Sequence, residues 1–110
     1  MGYNEKLADR IRKLLNRRKG IEEKKMFGGL SFLLNGKMCC GIIKNDLVVR
    51  VGPENYEHVL TQPHTRPMDF TGRPIKGFVY VESNGLSRDV ALRKWVNMSL
   101  SYASSLSRKR

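Results

Sequence analysis

An Asn-Gly pair between two apolar runs, at positions 35 and 36, is the feature that most constrains how this 110-residue chain can fold. A two-residue type I′ turn needs positive φ at both central positions, and Asn-Gly adopts them at low steric cost. The pair therefore predicts an antiparallel hairpin, with one strand at Leu30–Leu34 and the next at Lys37–Ile43.

Hydrophobic periodicity and turn signals predict the other elements. Residues 4–19 have apolar side chains at helical spacing, with Asn4 as N-cap and Gly20 beyond the end. A short helix opens at Pro53, and a final helix runs from Ser87 to about Ser104. The remaining predicted segments are a turn at Asn45-Asp46, strands at 22–27, 47–51 and 75–81, and an irregular proline-rich loop at 61–74.

In chain order these elements read α-β-β-β-β-α-β-α. Hairpin-linked strands with helices at the edges predict an α+β fold of two layers, an antiparallel sheet of about five strands with helices packed on one face. The length is that of a single domain, 1–110, with a basic tail at about 105–110.

The first hairpin carries apolar side chains on both of its faces, and helices can cover only one. Leu30, Phe32 and Leu34 share one face. We expect a homodimer contact to cover the other face, or alternatively a long loop that folds back over it. The residues assigned to this second face are Leu33, Met38, Cys40 and Ile42.

Two glycines and two cysteines in the same stretch raise the question of a chemical site. A phosphate-binding loop would lead from a strand into a helix, whereas a strand follows Gly28-Gly29, so these glycines are interpreted as a turn or bulge. Cys39 and Cys40 are adjacent on a strand and should point to opposite faces. We expect buried, reduced thiols, because a redox pair would have Cys-x-x-Cys spacing.

The net charge of +11 is concentrated at the two ends of the chain. Residues 1–25 hold nine Lys or Arg against four Asp or Glu (+5), residues 26–86 six against five (+1), and residues 87–110 six against one (+5). Helices on one face of the sheet would bring both ends together into a surface suited to phosphates. The candidate nucleic-acid-binding residues are Arg10, Arg12, Lys13, Arg17, Arg18, Lys19, Arg93, Lys94, Arg108, Lys109 and Arg110.

Other classes of function have little support. No apolar stretch is long enough to span a membrane and the N-terminus lacks a signal-peptide pattern, so we expect a cytoplasmic protein with no membrane partner. Spacings typical of zinc sites, nucleophile elbows and dinucleotide-binding loops are missing, and no metal, cofactor or catalytic residue is assigned. If the chain were an enzyme, the residues to test first would be Arg50, His58, His64, Asp69 and Arg73.

Four segments resemble the TfoX N-terminal domain family, which takes its name from bacterial regulators of natural competence. They are MFGGLSFLLNGKMCCGI at 26–42, LVVRVGPENYEHV at 47–59, GRP at 72–74 and FVYV at 78–81. The resemblance covers roughly residues 20–100 and does not extend to the second, C-terminal domain that competence regulators of this family carry. It implies an α+β fold like that of secretion-chaperone-like domains, an association with competence regulation, and no established catalytic residues.

These observations predict a non-enzymatic regulatory or protein-interaction module that forms a homodimer and contacts an unknown protein partner. The alternative is a protein that binds DNA or RNA non-specifically through its basic terminal helices. Sequence-specific readout is not expected, because no helix-turn-helix, zinc-finger or RNA-binding strand motif is present.

Overall fold

The computed structural model describes residues 3–16, 18–26, 28–69, 72 and 75–108. Helix α1 begins behind Asn4, whose side-chain oxygen accepts a hydrogen bond from the backbone N–H of Leu7 at 3.1 Å, as the N-cap prediction requires. The elements are α1 (Glu5–Leu15), β1 (Ile21–Met26), β2 (Gly29–Leu34), β3 (Lys37–Ile43), β4 (Asp46–Arg50), α2 (Tyr56–Val59), β5 (Thr65–Pro67), β6 (Phe78–Val81), a 3-10 turn (Ser83–Leu86) and α3 (Asp89–Arg108).

The six strands form one antiparallel sheet in the order β1-β2-β3-β4-β6-β5. The first four strands follow one another as hairpins, and β6 pairs with β4 after the chain has crossed through α2 and β5. The α+β class and the predicted order of elements are confirmed, with β5 as an added strand.

The main core lies between the sheet and its helices. Ile11 of α1 and Val96 of α3 are fully buried against Ile42 and Val49 of the central strands. We call this side of the sheet the helix face and the opposite side the open face. The largest side chains of the core are apolar, so burial of hydrocarbon surface is the main source of stability.

The first hairpin turn is built as predicted. Asn35 has φ +52° and Gly36 has φ +84°, the left-handed values that a type I′ turn requires. The second turn lies one residue earlier than predicted, at Lys44-Asn45, because Lys44 adopts φ +56° and Asp46 already pairs with Ile43 as the first residue of β4.

Several other boundaries differ from the sequence predictions. Helix α1 ends at Leu15 instead of continuing to residue 19, and α2 begins at Tyr56 instead of Pro53. Strand β5 lies inside the segment 61–74 predicted to be an irregular loop. Strand β6 begins at Phe78 instead of residue 75, because Gly77 has φ +98° and Phe78 closes a turn onto Ile75. Helix α3 continues to Arg108, beyond the predicted end at about Ser104, so residues 105–108 are helical.

A β-bulge on β3 changes the orientation of the two cysteines. Phe32 pairs with Cys40 and Leu33 with Met38, which leaves Cys39 as the extra residue. Both cysteines therefore lie in the core under the helices, and the prediction that they point to opposite faces was wrong. The described helices include none that is both long and apolar enough to cross a membrane.

Candidate interaction surfaces

The open face of the sheet carries a second, smaller apolar cluster. Its buried members are Val48, Met68 and Tyr80, and Met38, Ile43 and Phe78 pack against them half-buried. Met68 lies just beyond β5 in the connection to β6, so part of this face is covered by a loop residue. The predicted second apolar face therefore exists, and chain folding back covers part of it.

Two residues that we assigned to this face lie elsewhere. Cys40 is cross-strand to Phe32 and Ile42 to Leu30, and directly opposed residues share a face. Both are fully buried in the main core, so they cannot contribute to a dimer interface. The bulge at Cys39 is the physical reason, since one extra residue reverses the alternation on the C-terminal part of β3. Leu33 and Met38 keep their assignment to the open face.

Each end of the open-face cluster has an arginine over an aromatic ring. Arg66 lies 4.4 Å from the ring centre of Tyr80 and forms ion pairs with Asp46 and, at 3.1 Å, with Glu82. Burial raises the pKa of Tyr80, and Asp69 and Asp46 add to this rise against the opposing effect of Arg66.

Arg50 occupies the other end of the cluster. Its guanidinium lies 5.4 Å from the ring centre of Phe78 and 5.5 Å from that of Tyr102 on α3. It also donates to the backbone oxygen of Met38 at 3.3 Å. Such contacts hold the guanidinium in one place while leaving part of it accessible.

Sequence reasoning missed Arg66 and Met68, because a three-residue edge strand is too short to show periodicity. The signal that could have found this face is the alternation on β6, where Phe78 and Tyr80 face one way and Val79 and Val81 the other.

A narrow depression crosses the open face at Gly41, where a side chain is lacking. Methionines from three parts of the chain line it, Met26 of β1, Met38 of β3 and Met68, together with Val48 of β4. The depression is too narrow for a small-molecule ligand. Unbranched thioether side chains repack readily around a partner's side chain, as on other methionine-rich binding surfaces.

The basic residues of the helices are partly neutralised by acidic neighbours. Arg10 pairs with Asp89 at 3.0 Å. Arg12 pairs with Asp9 at 2.9 Å and with Glu23 of β1 at 2.8 Å, and the hydrogen bonds that it donates to Glu23 are the main reason that the pKa of Arg12 is raised.

Three of the predicted basic residues meet in a cleft of about 170 Å³ between α1 and α3. Arg10 and Lys13 line it from α1 and Arg93 from α3, with Asp89 beside Arg10. Lys94 lies outside the cleft and donates to Gln62 at 3.2 Å. Arg18 and Lys19 are exposed in the connection to β1, Arg108 ends α3, and Arg17, Lys109 and Arg110 are outside the described residues.

The residues considered for catalysis that the structure describes lie in separate elements and connections. His58 is exposed on α2, and His64 has φ +67° with its backbone oxygen bonded to Glu82 N–H at 2.8 Å. Asp69 is exposed beyond β5, Arg50 is held between rings as described, and Arg73 is outside the described residues. Within the described ranges, no three His, Cys, Asp or Glu side chains are grouped as metal ligands would be.

The thiols form a buried pair under α3. Cys39 Sγ donates to the backbone oxygen of Phe32 at 3.3 Å, and Ser99 of α3 lies close enough to interact with both thiols. Both cysteines are free and buried, in agreement with the expectation from the sequence. The hydrogen bond with Cys39, together with burial, raises the pKa of Cys40 well above its ordinary value.

Comparison with known proteins identifies the domain but not its partner. No curated protein matches the chain. The family model described as TfoX N-terminal domain matches residues 13–103, a range that begins in α1, contains the whole sheet and ends within α3. Because the match covers most of the chain, the chain belongs to the TfoX N-terminal domain family.

Proposed function

We propose that the protein is a non-enzymatic regulatory module that acts through protein–protein contacts, both with a partner and with a second copy of itself. Membership of the TfoX N-terminal domain family supports a role like that of a domain from competence regulators. The observation that carries the proposal is the open face of the sheet, where half-buried methionine and aromatic side chains lie between two arginines.

The composition of the open face is that of a protein interface. Methionine, aromatic residues and arginine are enriched where proteins bind one another, and binding energy is concentrated in tyrosine and arginine side chains. Arg50 and Arg66 are fixed over Phe78 and Tyr80, so little side-chain entropy remains to be lost on binding. The methionine side chains around the depression at Gly41 are flexible and can repack against an apolar side chain of a partner.

A comparison of two immobilised variants tests the role of the open face. Met38→Glu places a charge on its rim, and Ser101→Glu places the same charge on the exposed side of α3. We expect proteins from the native host extract to bind wild type and Ser101→Glu, to bind Met38→Glu at least about tenfold more weakly, and to be unaffected by nuclease.

Melting curves check that the variants fold. If Met38→Glu is unstable, the milder variant Met38→Gln replaces it in the binding comparison. Equal recovery by wild type and a folded Met38 variant would contradict the proposal. Loss of the bound proteins on nuclease treatment would contradict it as well.

The cleft between α1 and α3 supports a second candidate function, non-specific binding of nucleic acid. Asp89 compensates Arg10, whereas neither Lys13 nor Arg93 forms an ion pair with any residue that the structure describes. Two cations about a cleft of this size suit the phosphates of a nucleic-acid backbone.

Titration of a short fluorescent DNA duplex at several salt concentrations tests this candidate. Replacing Lys13 and Arg93 with Glu should weaken binding and reduce the log–log salt slope by about 0.9 for each phosphate that is no longer neutralised. Lys37→Glu, a charge reversal at the start of β3, should have a much smaller effect. Unchanged binding by the double variant would exclude the cleft as the phosphate site.

A further inference from the structure

The outer edge of β1 ends the sheet on one side. Strand β1 pairs with β2 along its full length, and no other described strand pairs with it. Most edge strands are short or interrupted, because a free edge can pair with another chain. Strand β1 has six residues, contains no proline, and its central four side chains are exposed.

Alternate backbone groups of β1 are directed away from β2. The backbone N–H of Asn35 donates to the oxygen of Gly20 at 2.9 Å, so Gly20 is bonded toward β2. In an antiparallel ladder the bonded residues alternate, which places the backbone groups of Glu22 and Lys24 toward β2 as well. The N–H and C=O groups of Ile21, Glu23 and Lys25 therefore face outward.

The side chains of β1 divide between the two faces of the sheet. Glu23 lies on the helix face, where Arg12 holds both of its carboxylate oxygens at 2.8 and 2.9 Å. Glu22 and Lys24 lie on the open face, opposite Leu33 and Ser31 of β2. Among the described residues, neither Glu22 nor Lys24 has an ion-pair partner.

A second copy of the chain can pair with this edge in a register that joins the opposite charges of Glu22 and Lys24. Two-fold symmetric, antiparallel pairing in a continuous sheet requires that opposed residues share a face. With Glu23 opposite its own copy, each Glu22 opposes a Lys24, twice by symmetry. Moving the register by one step either way places Glu22 opposite Glu22 or Lys24 opposite Lys24, and each of these like-charge pairs repels. The second shift also places each Glu23 opposite a Lys25, but Arg12 already neutralises Glu23, so this pair offsets little of the repulsion.

We propose that the β1 edge is the surface through which two copies of this chain pair, in the register centred on Glu23. The outward backbone groups of residues 21, 23 and 25 then bond to those of the second copy. The two Glu23 carboxylates meet on the helix face, where each is already neutralised by its own Arg12. The charges on this edge disfavour pairing with unrelated strands, but they favour pairing with β1 of a second copy.

This inference rests on the homodimer part of the proposed function and moves the dimer contact from the open face to the sheet edge. The open face is then left for a different protein. Strand pairing alone buries less surface than a standard stable interface, so we expect an equilibrium between monomer and dimer instead of a permanent dimer.

Exchange of the two charges tests the register. Sedimentation equilibrium over a wide concentration range should show dimers for wild type and roughly tenfold weaker association for Glu22→Lys or Lys24→Glu alone. The double variant E22K/K24E should recover, because the pairs are restored with their signs reversed. An equimolar mixture of the two single variants should also associate, since each supplies the charge that the other needs.

Glu57→Lys on α2 and Lys37→Glu are the matched controls and should associate like wild type. In the dimer, the backbone amides of Ile21, Glu23 and Lys25 should exchange hydrogen more slowly than in dilute solution. If the protein is a monomer at every concentration, both the pairing through the β1 edge and the homodimer in the proposed function are wrong. The contact with a different protein would then be tested separately. If the protein forms dimers whose association does not change in the charge variants, only the proposal that they pair through the β1 edge is wrong.

Discussion

Cys39 and Cys40 show how one extra residue in a strand can reverse the predicted side-chain orientation of its neighbours. Adjacent strand residues point to opposite faces only in a regular ladder, and the bulge opposite Phe32 and Leu33 breaks that rule. The sequence has no local mark for this bulge, because the nearby Gly41 follows the break instead of forming it. Burial of both thiols could still be predicted, since the segment is apolar throughout.

Burial of both thiols predicts that they are unreactive in the native protein. Each cysteine is fully buried and the raised pKa of Cys40 disfavours its thiolate, so a thiol reagent has to wait for the structure to open. We expect labelling to be about a hundredfold slower than for a Ser101→Cys control thiol on the exposed side of α3. Labelling followed by absorbance, with and without denaturant, measures this ratio. Native labelling of either thiol at the rate of the control would contradict the burial.

At the scale of elements, the sequence predicted the features that neighbouring residues determine. It did not predict those that depend on contacts with distant parts of the chain. The Asn35-Gly36 turn and the N-cap at Asn4 are decided by two or three neighbouring residues, and both formed as expected. Strand β5 depends instead on its pairing with β6, where Arg66 opposes Tyr80, and its own three residues carry no strand pattern. The kink that delays β6 likewise depends on Gly77, whose backbone oxygen accepts from Val51 and Gly52.

The contact between the end of β4 and helix α3 gives a test at this scale. Gly52 has φ +88°, and a Cβ there would lie 2.4 Å from Cε1 of Tyr102. Gly36 has nearly the same φ but open space around it. Gly36→Ala should lower the free energy of unfolding by roughly 1 to 2 kcal/mol, from backbone strain alone. Gly52→Ala should cost roughly 1 to 3 kcal/mol more, because Tyr102 must move.

Urea denaturation of the two alanine variants measures this difference directly. Because the backbone conformation is matched, the excess for Gly52→Ala reports only the packing of α3 against the strand end. Equal destabilisation of the two variants would show that Tyr102 can move aside without lowering the free energy of unfolding. A greater destabilisation by Gly36→Ala would contradict the contact itself.

At the scale of the whole molecule, composition predicted the amount of charge but not its arrangement. Summation along the chain placed +5 at each end, yet Arg10 is paired with Asp89, 79 positions away, and Arg12 is held by Glu23. Lys13 and Arg93 have no ion-pair partner among the described residues, and they meet in the cleft between α1 and α3. The open face was predicted only in outline, because its covering residue, Met68, comes from a segment that pattern alone cannot place.

The two edges of the sheet differ in the backbone groups that they offer to another strand. On β5, the backbone bonds of His64 and Met68 run toward β6, so the intervening Thr65 and Pro67 are turned outward. Proline lacks the N–H that another strand would need at this position. The β5 edge is therefore poorer in outward donors than the β1 edge, so edge pairing as proposed for β1 should stop at two copies instead of continuing into a filament.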